Sequence, residues 1–125
     1  MRFVIKGSEA RIESYGGIGF TSKELITYEN TGSKTMRLAL IELPPGSSTR
    51  EHVHNCEEVF YILEGKGVVV IEGREYEVEA GDAIYIKENL RHKTINTGNT
   101  PLRYIFVVSQ PLRPWMPTET TFLEK

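Results

Sequence analysis

His52, His54 and Glu58 stand at H-x-H-x-x-x-E spacing, and His92 lies forty residues beyond His52. No other histidine occurs in the chain. An extended backbone turns alternate side chains to the same side, so His52 and His54 can aim two imidazoles at one point. Glu58 follows the short turn Asn55-Cys56-Glu57 and can add an oxygen from the start of the next strand. Three neutral imidazoles and one carboxylate form a ligand set for a divalent metal, whether Fe, Mn, Co, Ni, Cu or Zn. A lone histidine on an apolar strand is usually hydrogen-bonded core; all the histidine of a chain at ligand spacing points to metal instead. Catalytic zinc more often takes three protein ligands. A fourth ligand in an octahedral shell leaves two open positions, which favours Fe(II), Mn(II) or Ni(II). Two adjacent vacancies suit a bidentate substrate, or a substrate oxygen beside O₂.

Neighbouring residues take their expected roles from the same alternation. Arg50 shares the phase of His52 and His54, which puts its guanidinium at the pocket mouth, ready for a substrate carboxylate. Phe60 and Ile62 share the phase of Glu58 and are expected on the cavity wall. Tyr104 and Phe106 are further candidates for substrate contact, with ordinary core as the competing role of all four. Tyr85, between Ile84 and Ile86, faces away from both. Cys56 sits in the turn between ligands and reads as an inert loop cysteine rather than a redox group. Asp82 follows the turn glycine Gly81 and reads as a turn residue, not a base.

The elements that must hold these groups are short strands. Segments 36–43, 58–64, 67–72, 75–78, 83–86, 92–97 and 102–109 are rich in valine, isoleucine and tyrosine. Turn signals divide them: Pro44-Pro45-Gly46, Glu64-Gly65, Glu72-Gly73, Ala80-Gly81-Asp82 and Gly98-Asn99. This pattern predicts an all-β fold, an antiparallel sandwich or barrel. Several strands are apolar on both faces: Leu38 and Leu40 oppose Ala39, Ile41 and Leu43, and the run Val68 to Ile71 has no polar member. A half-solvated sheet alternates more cleanly, so the N-terminal segment, the C-terminal tail or a second subunit must cover the outer face. A homodimer is the expected answer. Near the N-terminus, Gly16-Gly17-Ile18-Gly19 lacks the full G-x-G-x-x-G pattern and a following helix, and reads as a turn. Segment 21–30 is a strand or a single helical turn. Pro111, Pro114 and Pro117 hold 111–117 extended, with Trp115 as a packing anchor or a lid.

Composition sets the outer limits. At 125 residues and 14.2 kDa the chain makes one domain: a barrel over 36–109, an N-terminal extension over 1–35 packed on it, and an extended tail over 110–125. The single cysteine excludes an intrachain disulfide and fits a reducing, cytoplasmic setting. No stretch approaches the roughly 20 apolar residues of a membrane span, and no signal-peptide pattern opens the chain. A net charge of −2 with scattered lysines and arginines gives no nucleic-acid footprint.

The spacing around the ligands resembles the cupin superfamily. Gly46, His52, His54, Glu58 and Gly65 occupy every fixed position of the first cupin motif, and Gly81, His92 and Asn96 match the second. Two positions of the second motif depart from the pattern: Lys87 replaces proline and Asn89 replaces glycine. Asparagine tolerates the left-handed backbone that such a glycine adopts, whereas Lys87 gives up a preset angle and leaves the turn looser. The resemblance implies a jelly-roll barrel of two antiparallel sheets with a metal inside one open end, held by His52, His54, Glu58 and His92. It implies scaffold roles for the glycines and Asn96, and a homodimer. A metal-dependent oxygenase, decarboxylase or isomerase acting on a small carboxylate, diketone or sugar-like molecule is the expected function. A binding or sensor protein without turnover is the alternative.

Overall fold

A computed structural model describes residues 2–15, 20–109 and 120–122. The chain opens with β1 (Arg11–Tyr15), β2 (Phe20–Ile26), the single turn α1 (Tyr28–Thr31) and β3 (Met36–Leu43). Then follow β4 (His52–His54), β5 (Glu58–Glu64), β6 (Lys66–Ile71), β7 (Arg74–Glu79) and β8 (Ala83–Ile86). β9 (His92–Asn96), β10 (Leu102–Ser109) and β11 (Thr120–Phe122) complete the strands. Two antiparallel sheets result, ordered β1-β2-β3-β10-β5-β8 and β11-β4-β9-β6-β7. From β3 onward successive strands pass back and forth between the sheets, apart from the β6–β7 hairpin. This winding is the expected jelly-roll barrel. It puts His52, His54 and His92 on one sheet and Glu58 on the other.

The turns explain the strand boundaries. Glu72 and Gly73 both have positive φ (50° and 78°), the backbone that joins β6 to β7 in a two-residue hairpin. Gly65 has φ 88°, and a Cβ there would lie 2.5 Å from the carbonyl oxygen of Pro101. Conformation and close approach therefore both require glycine at that position. Asn89 adopts φ 65°, the left-handed backbone expected of it. Its N–H donates to the carbonyl of His54 at 2.8 Å, which pins the turn before His92 to β4 despite Lys87. Asp82 is a turn residue, its carboxylate accepting from the backbone N–H of Glu79 at 2.8 Å.

Between the sheets lies a core of Leu43, Ile62, Val69, Ile86, Leu102 and Tyr104. Each such side chain contributes roughly 1.5–3 kcal/mol through removal of apolar surface from water. Asn96 is 1% exposed and fully used: its amide donates to the carbonyls of Leu43 and Thr100, and its oxygen accepts from Gly98. The scaffold role expected of it is thereby explained.

Segment 21–30 contains both alternatives in succession. β2 runs to Ile26, and Thr27 then starts the helical turn: its hydroxyl accepts from the N–H of Asn30 while the Asn30 side chain accepts from the N–H of Thr27. β2 pairs with β3 and lengthens the edge of the larger sheet, so β1 and β2 leave its outer face open. That face carries exposed Val59, Tyr61, Leu63 and Tyr85, beside half-buried Leu38, Leu40, Ile105 and Val107. Tyr85 points outward as expected, with Ile86 buried on the inner side. The expectations for Gly16 to Gly19, for 111–117 and for Trp115 fall outside the described residues. Among the described residues no helix is long and apolar enough to cross a membrane.

Candidate metal centre

The strands β4 and β9 lie side by side with His52 directly opposite His92. Their rings stand 4.2 Å apart between centroids, and His54 is 4.6 Å from His52 and 5.3 Å from His92. Glu58 reaches across from β5, with Oε1 at 2.5 Å from His92 Nε2 and 3.4 Å from His54 Nε2. One donor atom from each of the four residues lies within 4.8 Å of all the others.

Backbone carbonyls fix which nitrogen of two rings is available. His52 Nδ1 lies 2.5 Å from the carbonyl of Arg50, and His92 Nδ1 lies 2.9 Å from that of Leu90. A carbonyl only accepts, so each Nδ1 carries a proton and each Nε2 is left as the donor atom for a metal. Burial, followed by the neighbouring His92, lowers the pKa of His52 to about 4, and burial also lowers that of His54. Both are neutral near pH 7, as ligands must be. His92 behaves differently: burial pulls its pKa down, but contact with the Glu58 carboxylate overcomes this and raises it.

The chemistry of this donor set fits a metal ion. Glu58 is 2% exposed, and among the described residues neither of its oxygens has a well-aligned hydrogen-bond partner; the same holds for His92 Nε2. The 2.5 Å approach between Glu58 and His92 is close enough for a bond but lacks the alignment of one. The four donor atoms crowd around one point, all within 4.8 Å of one another. A buried carboxylate left in this way is costly, and a cation at that point would satisfy all of these atoms together.

The family model described as a cupin domain matches residues 39–108, more than half of the chain. The chain is a cupin. It is 36% identical over 97 residues to the tetracenomycin polyketide synthase protein TcmJ of Streptomyces glaucescens, covering 77% of this cupin and 64% of that protein. Against the oxalate-binding protein of Thermotoga maritima it is 38% identical over 85 residues, covering 67% of this chain and 70% of the relative. The cupin therefore spans about two thirds of the length of these curated relatives. The solved structure of the polyketide cyclase RemF from Streptomyces resistomycificus superposes with a TM-score of 0.78 at 28% identity, covering 100% of this chain and 89% of that one.

The cluster sits in the wall of a cavity of about 340 Å³, within the range of small-molecule sites. Four of the expected substrate-contact residues, Arg50, Phe60, Tyr104 and Phe106, line it. Ile62 does not. It stands two residues further along β5, where it joins Leu43, Val69 and Leu102 in the core, 1% exposed. Phase alone assigns a residue to the inner face; depth along the barrel decides between cavity and core. Burial pushes the Tyr104 phenol above its ordinary range, with a hydrogen bond to Thr94 working the other way. Cys56 is buried, and burial, then the Glu58 charge, pushes its thiol up to about 11. That suits an inert cysteine.

Sequence reasoning missed other residues of the cavity, chiefly Phe20, Ser22 and Arg37. The available signal was the phase of β3: Arg37 shares the inner face with Ala39, Ile41 and Leu43. A charged residue at a core-facing position invites a functional explanation.

Proposed function

We propose that this cupin is a metal-dependent enzyme acting on a small polar carboxylate, diketone or sugar-like molecule. The observation that carries this reading is the buried Glu58 carboxylate brought together with three imidazoles at the wall of an accessible cavity. His52, His54, Glu58 and His92 would hold one divalent ion, with Fe(II), Mn(II) or Ni(II) favoured over Zn(II), Co(II) or Cu(II). When bound, such an ion acts as a Lewis acid toward a chelated oxygen or, if iron, supports O₂ chemistry of the oxygenase kind.

The protein's own share is positioning and shielding. Arg50 O and Leu90 O hold two rings in the donor tautomer. Phe60 and Phe106 form an apolar wall that limits water around the bound molecule. Tyr104 keeps its proton at all ordinary pH values and can serve as a neutral hydrogen-bond donor. The relatives' names support the substrate class, because oxalate and polyketides both carry paired oxygen atoms. Binding without turnover is the second reading; the Thermotoga relative is named an oxalate-binding protein. A second copy of the chain is the proposed occupant of the outer face bearing Val59, Tyr61 and Leu63; a monomer in light scattering at micromolar concentration would count against it.

The test is reconstitution with Fe(II), Mn(II) and Ni(II) in turn. Oxygen uptake and product formation are then followed across keto acids, diketones, catechols and uronates. Turnover that disappears in His54→Ala supports the enzyme. Saturable binding without turnover supports the binding protein.

A further inference from the structure

Arg37 faces the barrel interior in the same cross-strand row as Glu58. Val108 on β10 pairs with both, so the two charged residues stand two strands apart, roughly 10 Å between backbones at the usual strand spacing. Arg37 and the four cluster residues line one cavity. Its guanidinium lies over the Phe106 ring, 5.5 Å from the centroid. Glu24, 6% exposed, reaches the same side chain, with Oε1 at 3.4 Å from Arg37 Nε. Glu24 Oε2 accepts a 2.6 Å hydrogen bond from the Ser22 hydroxyl, and Ser22 also lines the cavity.

This arrangement makes a poor structural ion pair. The Arg37–Glu24 contact is long, and Arg37 Nε is buried without a hydrogen-bond partner among the described residues. A long ion pair with one partner buried and the other half-buried contributes little over apolar side chains of similar size. It does hold a planar, always-charged fork between two contacts, the Phe106 ring and the Glu24 carboxylate. A guanidinium so prepared matches a carboxylate in shape and charge. The carboxylates of the cavity region, Glu58 and Glu24, are already committed to the histidine cluster and to Arg37 with Ser22.

We infer that Arg37, aimed by Glu24 and Ser22, binds a carboxylate at the end of the substrate remote from the histidine cluster. The substrate class thereby narrows to acids carrying an oxygen pair at one end and an anionic group at the other. This rests on the proposed function for the placement of the first end. Arg37 is a specificity residue and Glu24 a positioning residue.

Two probes of equal length separate the contributions: 2-oxoglutarate, and 2-oxopentanoate, which lacks only the distal carboxylate. Binding to Ni(II)-loaded and metal-free protein is measured by titration calorimetry. The expected result is a preference for 2-oxoglutarate of roughly 10- to 100-fold, the value of a charged hydrogen bond. Arg37→Met should abolish it, Arg37→Lys should retain part of it, and Glu24→Gln should weaken it. Arg103→Met, at the exposed pair with Glu64, should leave it in place. If Arg37→Met fails to fold, the comparison of Arg37→Lys with Glu24→Gln carries the test. A preference that survives Arg37→Met, or that disappears in Arg50→Met alone, overturns the inference. So does equal, metal-dependent binding of both acids by the unaltered protein. If an Arg37-dependent preference persists without any effect of metal, the inference stands and the metal reading falls. If neither acid binds in any form, both fall.

Discussion

Replacing Glu58 by glutamine should move stability and metal affinity in opposite directions. Among the described residues the Glu58 carboxylate is 2% exposed and neither oxygen has a well-aligned hydrogen bond. Glutamine keeps the shape and removes the charge. His92 then sheds the proton that Glu58 had favoured, so no uncompensated charge remains. Exchanging a buried ion pair for neutral groups of the same shape gains about 1–3 kcal/mol. At ~2.1 cal/mol/K per residue, 125 residues give an unfolding entropy of about 0.26 kcal/mol/K, so Tm should rise by roughly 4–11 °C. The unaltered protein should instead gain its stability from metal: an ion at a hundred times its Kd adds about 2.7 kcal/mol, or roughly 10 °C. Glu58→Gln should lose that gain. Thermal unfolding followed by circular dichroism, with and without Mn(II), Ni(II) and Fe(II), reads all four states. A metal-free variant that melts below the unaltered protein, yet still gains 10 °C or so with metal, would refute the reasoning.

Three further outcomes are expected. Metal binding at pH 6.5 should release at most about one proton, not three, because among the three histidines only His92 has a raised pKa, while that of His54 is lowered and His52, at about 4, is already neutral. Calorimetry in buffers of different ionisation enthalpy reads the number, and affinity should fall as pH drops through the His92 pKa and again near that of His52. Gly65→Ala should cost about 2–5 kcal/mol, from the positive φ and the approach of Pro101 O, visible as a lower denaturation midpoint with unchanged slope. Asn96→Ala should cost about 2–4 kcal/mol by orphaning the carbonyls of Leu43 and Thr100 and the Gly98 N–H; urea unfolding that matches the unaltered protein would show that these bonds contribute little.

The histidine cluster was legible because its geometry is local. A period of two brings His52 and His54 together, and a short turn brings Glu58 back. His92 needed the motif spacing, since its pairing with His52 crosses forty residues. Seven of the strands announced themselves through β-branched runs between glycine turns, and Asn89 showed by residue type that it could take a left-handed turn. What escaped detection depends on pairing between distant strands. The Ser22–Glu24–Arg37 group exists only because β2 lies against β3, and the short polar β2 carries no apolar rhythm to reveal its phase. Ile62 was assigned correctly to a face but not to a depth, which depends on how far the core fills the barrel. The carbonyl partners of His52 and His92 belong to the main chain and leave no trace in residue identity.

Those main-chain partners have a consequence for how such a protein can change. No substitution can delete the oxygen that faces His52 Nδ1 or His92 Nδ1, so the donor state of the two rings is inherited with the strand path itself. The residues that would select a substrate, among them Phe20, Ser22 and Arg37, belong to the opposite layer of the barrel. Selection can redraw that layer for a new acid while the histidine side keeps its protonation pattern, which separates drift in specificity from loss of the ion.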